Sequence, residues 1–60
     1  MNPKLIYETI INNSVYKVFE YSSNYYKIEK YNDTVSSEYF FNNLKDCIRF
    51  IQIKKSLERN

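Results

Sequence analysis

YETIINNSVYKV, residues 7–18, sets two runs of β-branched and aromatic residues on either side of Asn12-Asn13. Runs of this kind are strand formers, and paired asparagines tolerate the left-handed backbone that a two-residue hairpin turn demands. They must do so here because the chain contains no glycine. A two-residue turn at Asn12-Asn13 places Glu8 opposite Lys17, a cross-strand pair of opposite charge.

The same grammar continues outward. Polar breaks recur at Ser22-Ser23-Asn24 and Asn32-Asp33, and the intervening segments are again rich in Tyr, Ile, Val and Phe. This spacing predicts strands at about 4–11, 14–21, 25–31 and 34–41, the last of them interrupted by Ser36-Ser37. A three-residue turn at 22–24 sets Lys17 opposite Glu29, and a two-residue turn at 32–33 sets Lys27 opposite Glu38. Each such pair is worth only about 0.2–1 kcal/mol, but together they fix which face is wet. Glu8, Lys17, Lys27, Glu29 and Glu38 then share one face. Leu5, Tyr7, Ile11, Tyr16, Val18, Tyr26, Ile28, Val35, Tyr39 and Phe41 share the other, which needs a cover.

The cover follows directly in the chain. Asn43 and Asp46 have the spacing of a capping box, with Asp in place of Glu, and open a helix over about 43–58. At 100° per residue, Leu44, Cys47, Ile48 and Ile51 form one apolar stripe suited to packing on a sheet. The expected fold is therefore α+β: a small antiparallel meander of three to four strands with one C-terminal helix on a single face, forming one domain over 1–60.

Composition narrows the function. Sixty residues form only a thin core. With no His and one Cys, zinc-site spacings, a disulfide framework within the chain and a His-dependent triad are excluded, and the absence of Gly excludes a phosphate-cradling loop. Glutamates that might act as acids are matched with lysines, so no catalytic pair, metal or cofactor is expected, and the protein is not read as an enzyme. Cys47 falls on the core stripe and reads as a small buried hydrophobe. No apolar run approaches a membrane span and no signal-peptide pattern opens the chain, which points to the cytoplasm. Asn, Lys, Ile, Tyr and Phe supply 33 of the 60 residues. These have A/T-rich codons, as expected of a low-GC bacterium or of a phage or mobile element living in one, where the host cytoplasm would be the compartment.

Two surfaces remain as candidates. Phe50, Ile53 and Leu57 recur at i, i+3, i+7 outside the core stripe and are expected to face away from the sheet, against another protein or a second copy of the chain in a homodimer. The uncovered sheet face carries Phe19, Tyr21, Tyr25 and Phe40 among its charges, with Tyr21, Tyr25 and Phe40 expected in one cross-strand row and Phe19 and Lys27 in the next. Such a platform suits protein hot spots and also suits stacking of unpaired bases. Possible nucleic-acid contacts are Lys27, Lys45, Arg49, Lys54, Lys55 and Arg59, although basic residues late in a helix also complement its dipole. A net charge of +2 is low for a phosphate-binding domain.

A strand meander followed by FFNNLKDCIRFI, residues 40–51, resembles in element order many small sheet-plus-helix modules. Among them are the arm-binding domains of phage-type integrases, whose sheet enters the DNA major groove. The basic sheet residues that such a domain uses are mostly matched with glutamates here, and its function is not carried over. The expectation from sequence is a small non-catalytic protein-binding protein, a candidate phage or mobile-element regulator or inhibitor of a host or defence protein. The alternative is a small DNA- or RNA-binding regulator using the sheet face or the basic helix.

Overall fold

The computed structural model describes residues 2–33 and 36–58, with the side chain of Glu58 outside the described set. Four strands, β1 (Lys4–Ile11), β2 (Ser14–Ser22), β3 (Tyr25–Tyr31) and β4 (Ser36–Phe41), form one antiparallel sheet in the order β1-β2-β3-β4, and α1 (Leu44–Glu58) follows. The fold is the α+β meander with a C-terminal helix that the alternation and turn spacing imply.

The first hairpin turns as its sequence requires. Asn12 and Asn13 have φ of 50° and 65°, the two positive angles of a type I′ turn, whose twist matches that of the flanking strands. Glu8 pairs with Lys17, and Lys17 pairs in turn with Glu29. The helix is capped as its first residues suggest: Asp46 N–H donates to Asn43 Oδ1 at 2.8 Å, and Asn43 Nδ2 donates back to Asp46 Oδ2 at 3.2 Å.

Three local irregularities correct the expected register. The first is a bulge at Ile6. Leu5 pairs with Phe19 and Tyr7 with Val18, so Ile6 is an extra residue that reverses the alternation below it. Ile6 therefore packs toward the core, while Leu5 joins Phe19 on the open face. The second is a bulge at Tyr21, which leaves a two-residue turn at Ser23-Asn24 in place of the three-residue one. The third concerns β4. Tyr31 pairs with Ser36, so four residues join β3 to β4 instead of two, and β4 slides by two positions. Phe40 rather than Glu38 faces Lys27, and Glu38 faces Glu29. A two-residue slip keeps every side chain on its face, which is why the face assignments in β4 survive it. Thr34 and Val35, expected to begin the fourth strand, lie outside the described residues.

The core lies between the sheet and α1: Ile11, Tyr16, Val18, Tyr26, Ile28, Cys47 and Ile51 are buried, with Ile28 and Cys47 fully enclosed. The helix meets it differently from expectation. Phe50 turns inward, 4.6 Å from the Tyr39 ring and 5.5 Å from the Phe41 ring, because the aromatic residues of β4 offer it a cradle. Leu44 and Ile48, expected in the core, are 39% and 47% exposed. The core-facing helix line is thus buried Cys47 and Ile51 with half-buried Phe50, rotated toward β4 from the stripe read off the sequence.

Candidate functional site

The open face of the sheet is ordered in two rows. Strand pairing aligns Leu5, Phe19, Lys27 and Phe40 across all four strands. The neighbouring row reads Glu8, Lys17, Glu29 and Glu38. Tyr21 and Tyr25 flank the first row: their rings lie 5.1 Å apart, and Tyr25 stacks on Phe40 with centroids at 6.0 Å and planes 6° apart. Phe40 thus belongs with Phe19 and Lys27 rather than in a row with Tyr21 and Tyr25, and it meets Tyr25 diagonally. Phe40 is 56% exposed, and Tyr25 and Leu5 are exposed as well.

Lys27 organises this face. Glu29 and Glu38 stand directly opposite one another, an arrangement that like charge disfavours. The ammonium of Lys27 reaches both, at 2.7 Å from Glu29 Oε2 and 3.4 Å from Glu38 Oε2. It also sits 5.7 Å from the Phe19 centroid and 5.6 Å from that of Tyr21, within cation–π range. Hydrogen bonding to Glu29, more than any other contact, raises the Lys27 pKa above its ordinary value, and the same contact lowers that of Glu29. Tyr31 donates a second hydrogen bond to Glu29, which raises the Tyr31 pKa. Lys17 lies over the Tyr31 ring at 5.7 Å. Lys27 is therefore committed within the sheet. Counting both rows, three glutamates stand against two lysines.

The basic residues of α1 lie on the other side of the molecule. Lys54 Nζ is 5.3 Å from the Phe50 centroid, and Lys55 Nζ donates to the Tyr7 hydroxyl at 3.0 Å. That contact is the main reason the Tyr7 pKa is lowered. Lys45 and Arg49 are exposed on the helix, and Arg59 lies outside the described residues. The structure thus separates Lys45, Arg49, Lys54 and Lys55 from Phe19, Tyr21, Tyr25 and Phe40 by the thickness of the sheet. Ile53 and Leu57 remain exposed, at 53% and 64%, without Phe50 beside them.

A second concave feature was not anticipated. Ile6, Tyr7, Val18, Leu44, Ile48 and Ile51 line a groove of about 550 Å³ between β1 and α1, with Gln52 and Lys55 on its wall. The signal in the sequence was the run Leu5-Ile6-Tyr7, three consecutive apolar residues where alternation should hold, which is how a bulge reads.

Cys47 is enclosed, and burial pushes its thiol up to about 11. Among the described residues, no three His, Cys, Asp or Glu side chains come together as a metal site, and no helix is long and apolar enough to cross a membrane. The chain matches no family model, no curated protein and no solved structure.

Proposed function

We propose that this is a non-catalytic protein-binding module whose contact surface is the open sheet face, centred on Phe19, Tyr25 and Phe40 with Leu5 and Tyr21 at the margin. The carrying observation is that the aromatic row has its one cation engaged by Glu29 and Glu38. A base-stacking platform works beside unpaired positive charge that tracks a phosphate backbone. A surface where exposed Tyr25 and Phe40 stand beside half-buried Phe19 and Tyr21, with internally compensated charge, has instead the anatomy of a protein hot spot, where aromatic anchors are ringed by polar groups. The abundance of Asn, Lys, Ile, Tyr and Phe, whose codons are A/T-rich, supports a partner in the cell that hosts a phage or mobile element, with the module acting there as a regulator or inhibitor.

The DNA- or RNA-binding alternative rests on Lys45, Arg49, Lys54 and Lys55, which are on the opposite side from the rings. The test is affinity capture from cells that carry the gene, with and without nuclease, using wild type and Phe40→Asp. Phe40 is exposed, so the variant retains the core. Retention of a protein by wild type after nuclease treatment, and its loss with F40D, is the expected result. Recovery of nucleic acid alone, with affinity falling steeply between about 50 and 200 mM salt, overturns the reading in favour of the alternative.

A further inference from the structure

We infer that the groove between β1 and α1 is a docking slot for one acidic amphipathic helix of a partner protein. It lies on the side of the sheet opposite the aromatic row and is independent of it. The argument begins with widths. Four strands spaced about 4.8 Å apart span roughly 15 Å between outer axes, whereas packed helices sit about 8–10 Å from one another. One helix therefore covers about half of a four-stranded sheet.

In this protein α1 lies over β3 and approaches β1 and β4 alike, but its ring packing closes the β4 side, where Phe50 meets Tyr39 and Phe41. What it leaves beside it is the groove. Val18 and Ile51 form its floor, Ile6 and Tyr7 its β1 wall, and Leu44 and Ile48 its helical wall. Tyr7, Leu44 and Ile48 are each between 39% and 47% exposed, an apolar surface whose shape fits a second helix lying alongside the first.

Charge selects among occupants. Lys55 stands at the C-terminal end of the groove, and Lys45 and Arg49 line an adjoining depression that shares Leu44, Ile48 and Gln52 with it, on its outer lip. The one described carboxylate in the first turn of α1, Asp46, is engaged by Asn43 at the cap. A second copy of the chain meeting this groove through its own α1 flank would bring two sets of lysines and arginines together. A helix with apolar residues at i, i+3, i+4 and i+7 and Asp or Glu beside them fills the groove and pairs with the lip, which is the helix-in-groove mode of recognition.

The test is selection from a displayed library of random 16-residue peptides on the full chain, with counter-selection on Ile48→Glu. Ile48 and Arg49 are exposed, and circular dichroism checks that Ile48→Glu and Arg49→Glu are folded. The expected result is enrichment of acidic peptides with the i, i+3, i+4, i+7 apolar pattern. Amide shifts on binding should cluster at Ile6, Tyr7, Leu44, Ile48 and the lip residues Lys45 and Arg49, and affinity should fall at least tenfold for Arg49→Glu. Replacement of the peptide's acids by lysine should restore binding to Arg49→Glu. Enrichment of basic or extended peptides, retention of binding by Ile48→Glu, no enrichment, or self-association of the wild type through Leu44 and Ile48 overturns the inference. None of these outcomes bears on Phe40, so the two surfaces are tested separately.

Discussion

The two flanks of α1 meet the same sheet in different ways. On the β4 side, Phe50 lodges between Tyr39 and Phe41, and three rings close the space between helix and strand. On the β1 side, Leu44 and Ile48 face Ile6 and Tyr7 across an open groove, which a hydrogen bond from Lys55 to the Tyr7 hydroxyl crosses. The difference lies in side-chain reach. The helix backbone approaches β1 and β4 alike, but Phe50 sets a ring against Tyr39 and Phe41, whereas the shorter Leu44 and Ile48 leave the space before Ile6 and Tyr7 unfilled. Stability is therefore concentrated on one flank and accessible apolar surface on the other.

The largest expected effect breaks that asymmetry directly. Phe50→Ala should cost about 3 kcal/mol, while Ile48→Ala should cost under about 1 kcal/mol, because one removes a packed ring and the other trims a half-exposed side chain. A domain of this length has roughly 3–9 kcal/mol in total, so urea denaturation followed by circular dichroism should show Phe50→Ala losing a third or more of its stability. Equal costs at the two positions would mean that the flanks do not differ.

Cys47 sharpens the comparison at the line between the flanks. It is fully enclosed and does not line the groove, so opening the β1 side should not expose it. With its pKa raised to about 11, the thiol is protonated at neutral pH and should resist alkylation until the chain unfolds. Cys47→Ser should cost about 1–3 kcal/mol by burying a hydroxyl in an apolar site. Mass spectrometry of the native protein treated with iodoacetamide checks the first point, and denaturation checks the second. Rapid modification under native conditions would show that the open flank reaches the core.

The smallest effect concerns the bond across the groove. Lys55 lowers the Tyr7 pKa by stabilising the phenolate, so Lys55→Met should raise it toward its ordinary value of 10.0. Folding stability should barely change, as for other exposed pairs. A pH titration of Tyr7 ring carbons by NMR in both proteins reads the shift. An unchanged Tyr7 would mean that the lysine does not bridge the flank.

Much of this architecture is legible in the chain. Asn12-Asn13, the Glu8–Lys17–Glu29 ladder and the Asn43/Asp46 cap are local features, and each depends on residues within one helical turn or within one or two successive hairpins. The same holds for the sheet face assigned to Phe19, Tyr21, Tyr25 and Phe40, because alternation in a strand has a fixed period of two. The β4 register was not legible. A connection of two or four residues between Tyr31 and Ser36 preserves the same alternation, and the pairing of Phe40 rather than Glu38 with Lys27 is settled by packing across the sheet.

What the sequence by itself determined is the set of elements, their order, the charged and aromatic side of the sheet, and the exclusion of histidine and glycine chemistry. What only the tertiary structure decided is the rotation of α1 about its own axis. The 3.6-residue period allows both a stripe through Leu44, Ile48 and Ile51 and one through Cys47, Phe50 and Ile51 to count as the apolar face. Tyr39 and Phe41 accept the Phe50 ring, the helix rolls toward β4, and Leu44 and Ile48 are turned out beside β1. The groove lies where Leu44 and Ile48 are turned out, and which apolar side chains of α1 pack is expressed only when the strands and the helix are already in place.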